Sequence, residues 1–271
     1  MKNKKLNITI SVLIILLITV LIITTLILNN KPSLDSQVAT NDKLPVSANN
    51  ELSGNNNLPI DYYAASYAYS LATPEKAIGG TDYTFIAKVN GIVRTEYRHP
   101  VEVPDSPDGS RTKIVYDPYT IYDVTVIENI RGNLIKTKNI EIEQAGGLNK
   151  DGKYYIFPEN TGLLNIGEYY IFSTLSSIID GTLRVERPEM MILLGKMEGT
   201  DTFTAIQNIV ASKNASTIED SKNSALINKE INFEIIEKVT EYTKAALTPV
   251  VPEGKNEIPV KSKLYDVEYS K

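Results

Sequence analysis

Hydrophobic residues follow three different patterns along the chain: an uninterrupted block, a middle section of period two, and a final section of helical period. The block, residues 6–28, contains no charged residue. As a helix it would measure about 35 Å, which is enough to cross a hydrocarbon core about 30 Å thick. A helix satisfies its own backbone hydrogen bonds, so such a segment can lie in lipid. The pattern therefore predicts a transmembrane anchor over residues 6–28.

The charges beside this block indicate its orientation. Residues 1–5 form a basic head with three lysines, whereas only Lys31 follows the block closely. The positive-inside rule then places the head in the cytoplasm and the bulk of the chain outside. The alternative is a cleaved signal peptide and a secreted protein, but the apolar region of a signal peptide is normally only about 7–15 residues long. We therefore expect a single-pass protein of the cell membrane whose C-terminal domain is extracytoplasmic.

Residues 29–60 are rich in Asn, Ser, Pro, Asp and Lys, with only scattered single apolar residues. Such a segment cannot bury enough apolar surface to offset the entropy lost on ordering. We therefore predict a flexible linker. As a coil it would span on the order of 30 Å, which is enough to hold a domain off the lipid headgroups.

A pattern of period two dominates residues 61–200, which we predict to form one β domain. Asn90-Gly91 fits either a hairpin turn or a bulge within a strand that continues to Tyr97. Residues 100–111 hold three prolines and Asp108-Gly109, so they are expected to form a loop. Further strands are expected over residues 85–89, 119–128, 139–143, 168–173 and 183–186.

Helical signals precede and follow this region. Thr73 fits an N-cap, Pro74 the first helical position and Gly79 the exit of a short helix. Residues 61–71, just before it, fit either a first helix or an ordered lead-in. Near the other end, Ser216 and Glu219 have the spacing of a capping box.

Residues 201–271 are predicted to form a C-terminal amphipathic helix and a loose, charged tail. The helix is expected over residues 218–247, and the prolines that follow it end it. Its apolar stripe would pack on the β domain or on a partner protein. The stripe consists of Ile227, Ile231, Ile235, Val239, Tyr242 and Ala246.

Four segments of the β region carry a resemblance to a known group of proteins. The first is a short helix followed by a strand with an apolar-Lys-Val core, and the second is a Tyr-x-Val-x-Val-x-Glu strand followed by a basic residue and Gly. The third is a strand that ends in Gly-Gly, and the fourth is Gly-Glu-x-Tyr before an apolar run. These lie in residues 73–89, 122–132, 140–147 and 167–172. The chain resembles uncharacterised Gram-positive bacterial surface proteins and lipoproteins. Their extracellular domain is similar to the OB-type barrel of netrin-like and metalloprotease-inhibitor modules.

The resemblance implies a fold that is mainly β with peripheral helices, built on an OB-like five- or six-stranded barrel. It implies no site. Metalloprotease inhibitors of this type chelate zinc through the amine of an N-terminal, disulfide-linked cysteine, and this chain has no cysteine. The same absence excludes a lipoprotein, disulfides, thiolate metal sites and a cysteine nucleophile. The net charge of −5 argues against nucleic-acid binding.

Candidate chemistry is sparse. His99 is the single histidine, so a Ser-His-Asp hydrolase would have to use it, but its place before Pro100 is more typical of a surface loop. Asp105, Asp108 and Ser110 resemble part of a calcium loop, yet they lack the longer ligand ladder and the distal bidentate Glu. Glu128 and Glu168 are expected at strand ends. We predict no catalytic residue, no metal and no cofactor.

Tyrosine is the compositional oddity, with 16 tyrosines and no tryptophan. Tyr62, Tyr63, Tyr67 and Tyr69 cluster just before the β domain. Exposed tyrosines suit contacts with proteins or glycans because they offer a large area and few rotatable bonds. The alternative, which we favour, is that these side chains cover one end of the barrel.

The sequence therefore predicts a non-enzymatic, membrane-anchored binding module of unknown ligand, with a protein or glycan partner at the cell envelope and no nucleic acid. The reason is mainly negative, since nucleophile, metal and phosphate signatures are missing. One alternative is a cell-surface hydrolase that uses Asp and Glu. A second is a structural subunit of an envelope complex, docked through the helix stripe.

Overall fold

The structure is a computed structural model that describes residues 58–197, 199–228, 231–255 and 258–268, with the side chain of Thr200 excepted. The predicted anchor and nearly all of the predicted linker lie outside these residues. No helix within the described ranges is both long enough and apolar enough to cross a membrane.

The described chain is mainly β with peripheral helices, as predicted. The strands are β1 (Ile60–Tyr63), β2 (Tyr83–Pro104), β3 (Thr112–Arg131), β4 (Asn139–Ala145), β5 (Gly147–Leu148), β6 (Tyr155–Pro158), β7 (Tyr169–Ser176), β8 (Leu183–Val185) and β9 (Met191–Gly195). The α-helices are α1 (Pro74–Gly80), α2 (Thr200–Val210), α3 (Ala215–Leu226) and α4 (Phe233–Ala245), with a 3-10 turn at Pro188–Met190.

Five strands close on themselves. Their hydrogen-bonded order is β2-β3-β4-β8-β7, and β7 pairs again with β2 through Tyr83↔Thr174 to Lys88↔Tyr169. All neighbours in this ring are antiparallel except β4 and β8, which are parallel. β9 adds to the far edge of β7, and a small sheet of order β1-β6-β5 lies beside the ring. The result is a barrel-like sheet, which removes most free strand edges.

Alternation along the strands sorts the side chains of the ring. Tyr122, Val124 and Val126 on β3 are fully buried and face inward, whereas Asp123 and Thr125 face outward and are partly exposed. Phe85 and Phe172 meet inside the ring with their centroids 5.8 Å apart. On the outside, α2 packs on β3, and α4 packs on α1 and β9. A single apolar core therefore joins the ring to its helices.

The short helix α1 confirms its local prediction. Thr73 is the N-cap, its hydroxyl accepts from the backbone N–H of Lys76, and Pro74 opens the helix. Gly79 does not end the helix, which continues to Gly80. A Cβ at Gly79 would lie 2.1 Å from the carbonyl oxygen of Val250, so this glycine permits close packing of the chain that follows α4.

The predicted loop over residues 100–111 is confirmed for residues 105–111 and wrong for residues 100–104. β2 continues to Pro104 and β3 begins at Thr112, so only residues 105–111 form the tip of a long hairpin. The prolines are tolerated because this part of β2 pairs with β3 alone and needs no donor on its other edge. At Asn90-Gly91 the chain makes a bulge rather than a turn. We call residues 97–117 the arm.

The C-terminal part forms three helices where the sequence predicts one. Asn214 caps α3 by accepting from Thr217 N–H, in place of the predicted capping box, and Asn232 caps α4 by accepting from Glu234 N–H. Between these helices Ile227 is 82% exposed, whereas Ile235 and Val239 are buried. The helical spacing of apolar residues continues across the break between α3 and α4, since Ile231 and Ile235 are four residues apart. The start of α4 depends on its asparagine N-cap. α2, β1, β5, β6 and β9 were not predicted, and residues 61–71 begin with part of β1 and contain no helix.

Candidate binding face

The outer surface of β2, β3 and β4 carries an ordered array of polar side chains. These residues alternate with the inward-facing core residues of the same strands, so they lie on one face. We call this surface the outer face, and it consists of Asn90, Arg94, Glu96 and Arg98 on β2, Tyr119, Asp123 and Thr125 on β3, Asn139, Glu141 and Glu143 on β4, and Arg184 on β8.

Arg98 and Glu143 form the centre of an ion-pair network on this face. The Arg98 guanidinium donates to both carboxylate oxygens of Glu143, at 2.9 and 2.5 Å, and to Glu96 at 2.6 Å. The Glu143 side chain is only 1% exposed, and Arg184 Nε lies 2.9 Å from its Oε1. Such bidentate pairs are among the stronger hydrogen bonds in proteins. They fix the positions of the charged groups on the face.

The network continues along β2. Arg94 donates to Glu96 and to Glu141, both at 2.8 Å. Burial alone would lower the pKa of Arg98, but its hydrogen bonds to Glu143 and Glu96 outweigh burial and raise it. Burial likewise opposes ionisation of Glu96, yet the two arginines hold its pKa below the ordinary value. The shifts in the pKa of Arg98 and Glu96 therefore favour the charged form of both groups.

A second cluster on the outer face is neutral apart from one carboxylate. The Asn90 amide donates to Asp123 at 3.2 Å and to the Thr125 hydroxyl at 2.9 Å. Asn139 donates to Asp123 at 2.8 Å and accepts from the Thr125 hydroxyl at 2.8 Å. Asn90 and Asn139 are exposed, and the two β3 side chains are half-buried. These groups hold one another in place while leaving donors and acceptors directed at solvent.

The structure separates the four predicted tyrosines into two pairs. Tyr62 and Tyr63 are exposed on the edge strand β1. The rings of Tyr67 and Tyr69 instead lie 4.0 and 5.0 Å from the guanidinium of Arg187, which is buried. Arg187 also donates to the Tyr69 carbonyl at 2.7 Å. Tyr67 and Tyr69 thus enclose the buried guanidinium of Arg187, and their role is structural.

Tyr63 connects β1 to the outer face. Tyr63 is 42% exposed, and the burial of the rest of its side chain raises its pKa to about 12; its neighbours Tyr67, Tyr119 and Asp117 add to the shift. Tyr119 lies on the outer face, and the guanidinium of Arg98 is 4.8 Å from its ring centroid. An aromatic border therefore lies at the end of the outer face nearest the arm. From the sequence we proposed Tyr63 as a contact residue and did not consider Tyr119.

The remaining residues considered from the sequence have local partners. His99 has φ 50°, where the arm makes a bulge, and its Nδ1 lies 3.0 Å from an oxygen of Asp117 on the exposed surface. Asp108 accepts from Ser110 N–H and from the Ser110 hydroxyl, and hydrogen bonds with Ser106 and Ser110 lower its pKa to about 2. Within the described residues, no group of three or more His, Cys, Asp and Glu is placed to hold a metal ion.

The two glutamates at strand ends also have partners. Glu128 is buried and accepts from Lys136 through both oxygens, at 3.0 and 2.9 Å, and from Gln207 at 3.2 Å. Glu168 accepts from Asn165 at 2.7 Å. Both carboxylates therefore help to hold local structure together.

A polar groove of about 600 Å³ lies between α2 and α3. Asp201 and Asp220 lie on its walls, together with Asn208, Ser212, Ser221 and Ser224. Both aspartates are exposed, and Asp201 accepts from Asn228 at 2.9 Å. A general acid usually lies within hydrogen-bond reach of a substrate held in a closed site, and this groove is open.

The sequence contained a signal for the outer face. Arg94, Glu96 and Arg98 alternate with a period of two, as do Glu141 and Glu143. Opposite charges on facing strands form cross-strand pairs. What the sequence lacked was the register that brings these two runs onto one surface.

Comparison with known proteins adds no relative. No model of a protein family matches this sequence, and no curated protein is significantly similar to it. We therefore infer function from the geometry of the outer face.

Proposed function

We propose that this chain is a membrane-tethered, extracytoplasmic and non-enzymatic binding module, and that it binds an oligosaccharide on the outer face of an OB-type barrel. The observation that carries the proposal is the outer face itself: a preorganised surface of amide, carboxylate and guanidinium groups with an aromatic border. The position of the module outside the cytoplasm is inferred from the uncharged segment over residues 6–28 and the basic residues before it.

The topology of the ring supports the OB-type assignment. An OB-type barrel has five strands in a partly open, Greek-key arrangement. The ring β2-β3-β4-β8-β7 also has five strands, and β8 and β7 lie in the reverse of their chain order, which is a non-sequential arrangement of that kind.

The location of the outer face supports its role in binding. Ligands of OB-type barrels lie on the face of the second and third strands, bounded by the loops after the first and fourth strands. Here the second and third strands are β3 and β4. The arm extends the first of the two bordering loops, and residues 177–182 form the other.

The balance of charge selects the class of ligand. Four carboxylates and three guanidiniums lie on the outer face, and most of them are already paired with one another. A nucleic acid needs uncompensated basic groups for its phosphates, so this face is a poor match for it. An oligosaccharide instead needs hydrogen-bonding groups that lie in a plane and an aromatic ring to stack on. Asn90, Asn139 and Tyr119 provide both.

The proposal is tested by binding of oligosaccharides prepared from a Gram-positive cell envelope to the full chain in lipid nanodiscs. Asn139→Ala removes one exposed amide, and a typical hydrogen bond contributes about 0.5–1.5 kcal/mol, so affinity should fall about two- to tenfold. Asn223→Ala is the matched control, since Asn223 is an exposed asparagine on α3. Equal affinity of the two variants, or no oligosaccharide bound by the parent, would contradict the proposal.

The two alternatives have less support. A hydrolase using Asp and Glu would have its best location in the groove with Asp201 and Asp220, where both carboxylates are exposed. A structural subunit docked through the helix stripe would need that stripe free. Ile235 and Val239 are already buried in the core of the domain. Hydrolysis of an envelope glycan that Asp220→Asn abolishes would favour the hydrolase.

A further inference from the structure

The turn between β7 and β8, residues 177–182, displays two consecutive isoleucines to solvent. Ile178 is 73% exposed and Ile179 is 90% exposed. Single exposed apolar residues are ordinary on a protein surface, but two adjacent β-branched side chains at the tip of a turn are not. We call residues 177–182 the isoleucine turn.

The backbone of this turn is well ordered, so the exposure is not that of a loose loop. Ser177 N–H donates to the Thr182 carbonyl at 2.9 Å, and Gly181 N–H donates to the Ser177 carbonyl at 2.9 Å. The Ser177 hydroxyl accepts from Ile179 N–H at 3.3 Å, and Asp180 accepts from Thr182 N–H at 3.0 Å. Gly181 has φ 77°, which favours glycine. The fold thus fixes both isoleucines in an outward position.

The C-terminal segment, residues 258–268, supports the turn and extends its apolar surface. The Ser262 hydroxyl donates to the Gly181 carbonyl at 2.6 Å. A Cβ at Gly181 would lie 3.2 Å from the backbone nitrogen of Leu264, so the two segments are in direct contact. Leu264 is half-exposed, and Ile258 in the same segment is exposed. Aliphatic side chains from two segments therefore lie at this end of the ring.

Charged groups surround these aliphatic side chains. Lys261 and Lys263 are exposed, and Lys261 pairs with Glu268. The carboxylate within the turn, Asp180, is occupied by hydrogen bonds with Ser177 and Thr182. Lysine ammonium groups beside outward aliphatic side chains match a lipid surface, where phosphates lie directly above acyl chains.

We propose that the isoleucine turn inserts into the surface of the bilayer to which the chain is tethered. This inference rests on the proposed tether. A few exposed aliphatic side chains bind lipid only weakly by themselves, but a tether converts binding into an intramolecular event at a high effective concentration. Between residue 28 and β1 the chain is long enough to span on the order of 30 Å as a coil, so the turn stays within reach of lipid. This reach favours lipid over a soluble protein as the occupant.

The experiment uses a property of the sequence: the chain has no cysteine, so one introduced thiol takes one label. The full chain is reconstituted in vesicles of phosphatidylglycerol and phosphatidylcholine, with Ile179→Cys carrying an environment-sensitive fluorophore. Ile227→Cys is the matched control, because Ile227 is a similarly exposed isoleucine between α3 and α4. We expect the emission of the Ile179 label to shift to shorter wavelength and to be quenched by brominated acyl chains. The Ile227 label should emit as it does in water.

Flotation of the chain with the vesicles reports the tether separately. If the chain floats but the Ile179 label emits as in water, the turn does not contact lipid and only the present inference fails. If the chain does not float, the tether fails. The turn is then tested by titrating lipid to millimolar concentration, and an unshifted Ile179 label overturns the inference. A shift that depends on protein concentration and is insensitive to brominated lipid overturns it in favour of contact with a second copy.

Discussion

The same two strands, β2 and β3, lie in opposite environments in the ring and in the arm. In the ring, the consecutive residues Phe85 and Ile86 on opposite faces of β2 are both fully buried. In the arm, Val101 on one face is 53% exposed and Ile114 on the other is 58% exposed. Both segments carry apolar side chains, and both pair across the hairpin. The difference is that, in the ring, β2 pairs with β7 on its second edge and α2 packs on β3, whereas in the arm the two strands pair only with each other.

Strand pairing and the burial of side chains therefore contribute separately to the stability of the fold. A two-stranded hairpin is marginally stable in water when it stands alone. The arm is supported near its base by the edge-on contact of Tyr97 with Tyr116 at 6.4 Å and by Lys150, whose ammonium lies 4.1 Å from the Tyr116 ring. Substitutions should therefore be costly in the ring, intermediate at the junction with the arm, and nearly neutral in the arm.

The largest effect is expected for Phe85→Ala in the ring. Removing a fully buried aromatic side chain leaves a cavity and typically costs 3–5 kcal/mol, here about 4 kcal/mol. Chemical denaturation followed by circular dichroism measures the change in the free energy of unfolding. A loss below about 1 kcal/mol would mean that the ring is packed as loosely as the arm.

An intermediate effect is expected for Glu143→Gln on the outer face. The side chain is 1% exposed and accepts two hydrogen bonds from Arg98, so the variant leaves part of that guanidinium without a partner. Because both arginines beside it are partly exposed, we expect a loss of about 1–3 kcal/mol rather than the full value for a buried pair. Asp220→Asn is the control, an exposed acid changed to its amide, and should be neutral.

Acid should weaken the junction through Glu96. Its arginine partners hold its pKa below the ordinary 4.5. A carboxylate with a lowered pKa in the folded state stabilises the fold above its unfolded pKa, and this contribution is lost as pH falls through the folded pKa. Below pH 4.5 the parent should therefore lose stability more steeply than Glu96→Gln, by up to about 1 kcal/mol, since Glu96 is nearly a third exposed. Parallel stability curves of the two proteins between neutral and acidic pH would contradict this assignment.

The smallest effect is expected for Val101→Ala and Ile114→Ala in the arm. Both side chains are more than half exposed, so each variant should change the free energy of unfolding by less than about 0.5 kcal/mol. The same denaturation measurement as for Phe85→Ala gives a direct comparison. A loss above about 2 kcal/mol would show that the arm is packed against something in solution, such as a second copy.

Local signals in the sequence determined the parts of the fold that depend on near neighbours. Thr73 and Pro74 specify the start of α1, since an N-cap hydroxyl and a proline at the first helical position act within one turn. Tyr122, Val124 and Val126 specify the inner side of β3, since alternation is a property of a single strand. The mainly β character with peripheral helices follows from such signals. The predicted anchor over residues 6–28 stays a prediction.

Tertiary structure decided what depends on contacts between distant segments. The closing of the ring through β2 and β7 selected which strands are buried on both faces, and the absence of a third strand left the arm exposed. The register of β3 against β4 brought Arg98 and Glu143 together, 45 residues apart in sequence. Tyr67 was recognised as a possible contact residue, but only the position of Arg187 gave it a structural role. The periodicity of a segment shows which side chains share a face. It does not show what covers that face, because the covering residues come from another part of the chain.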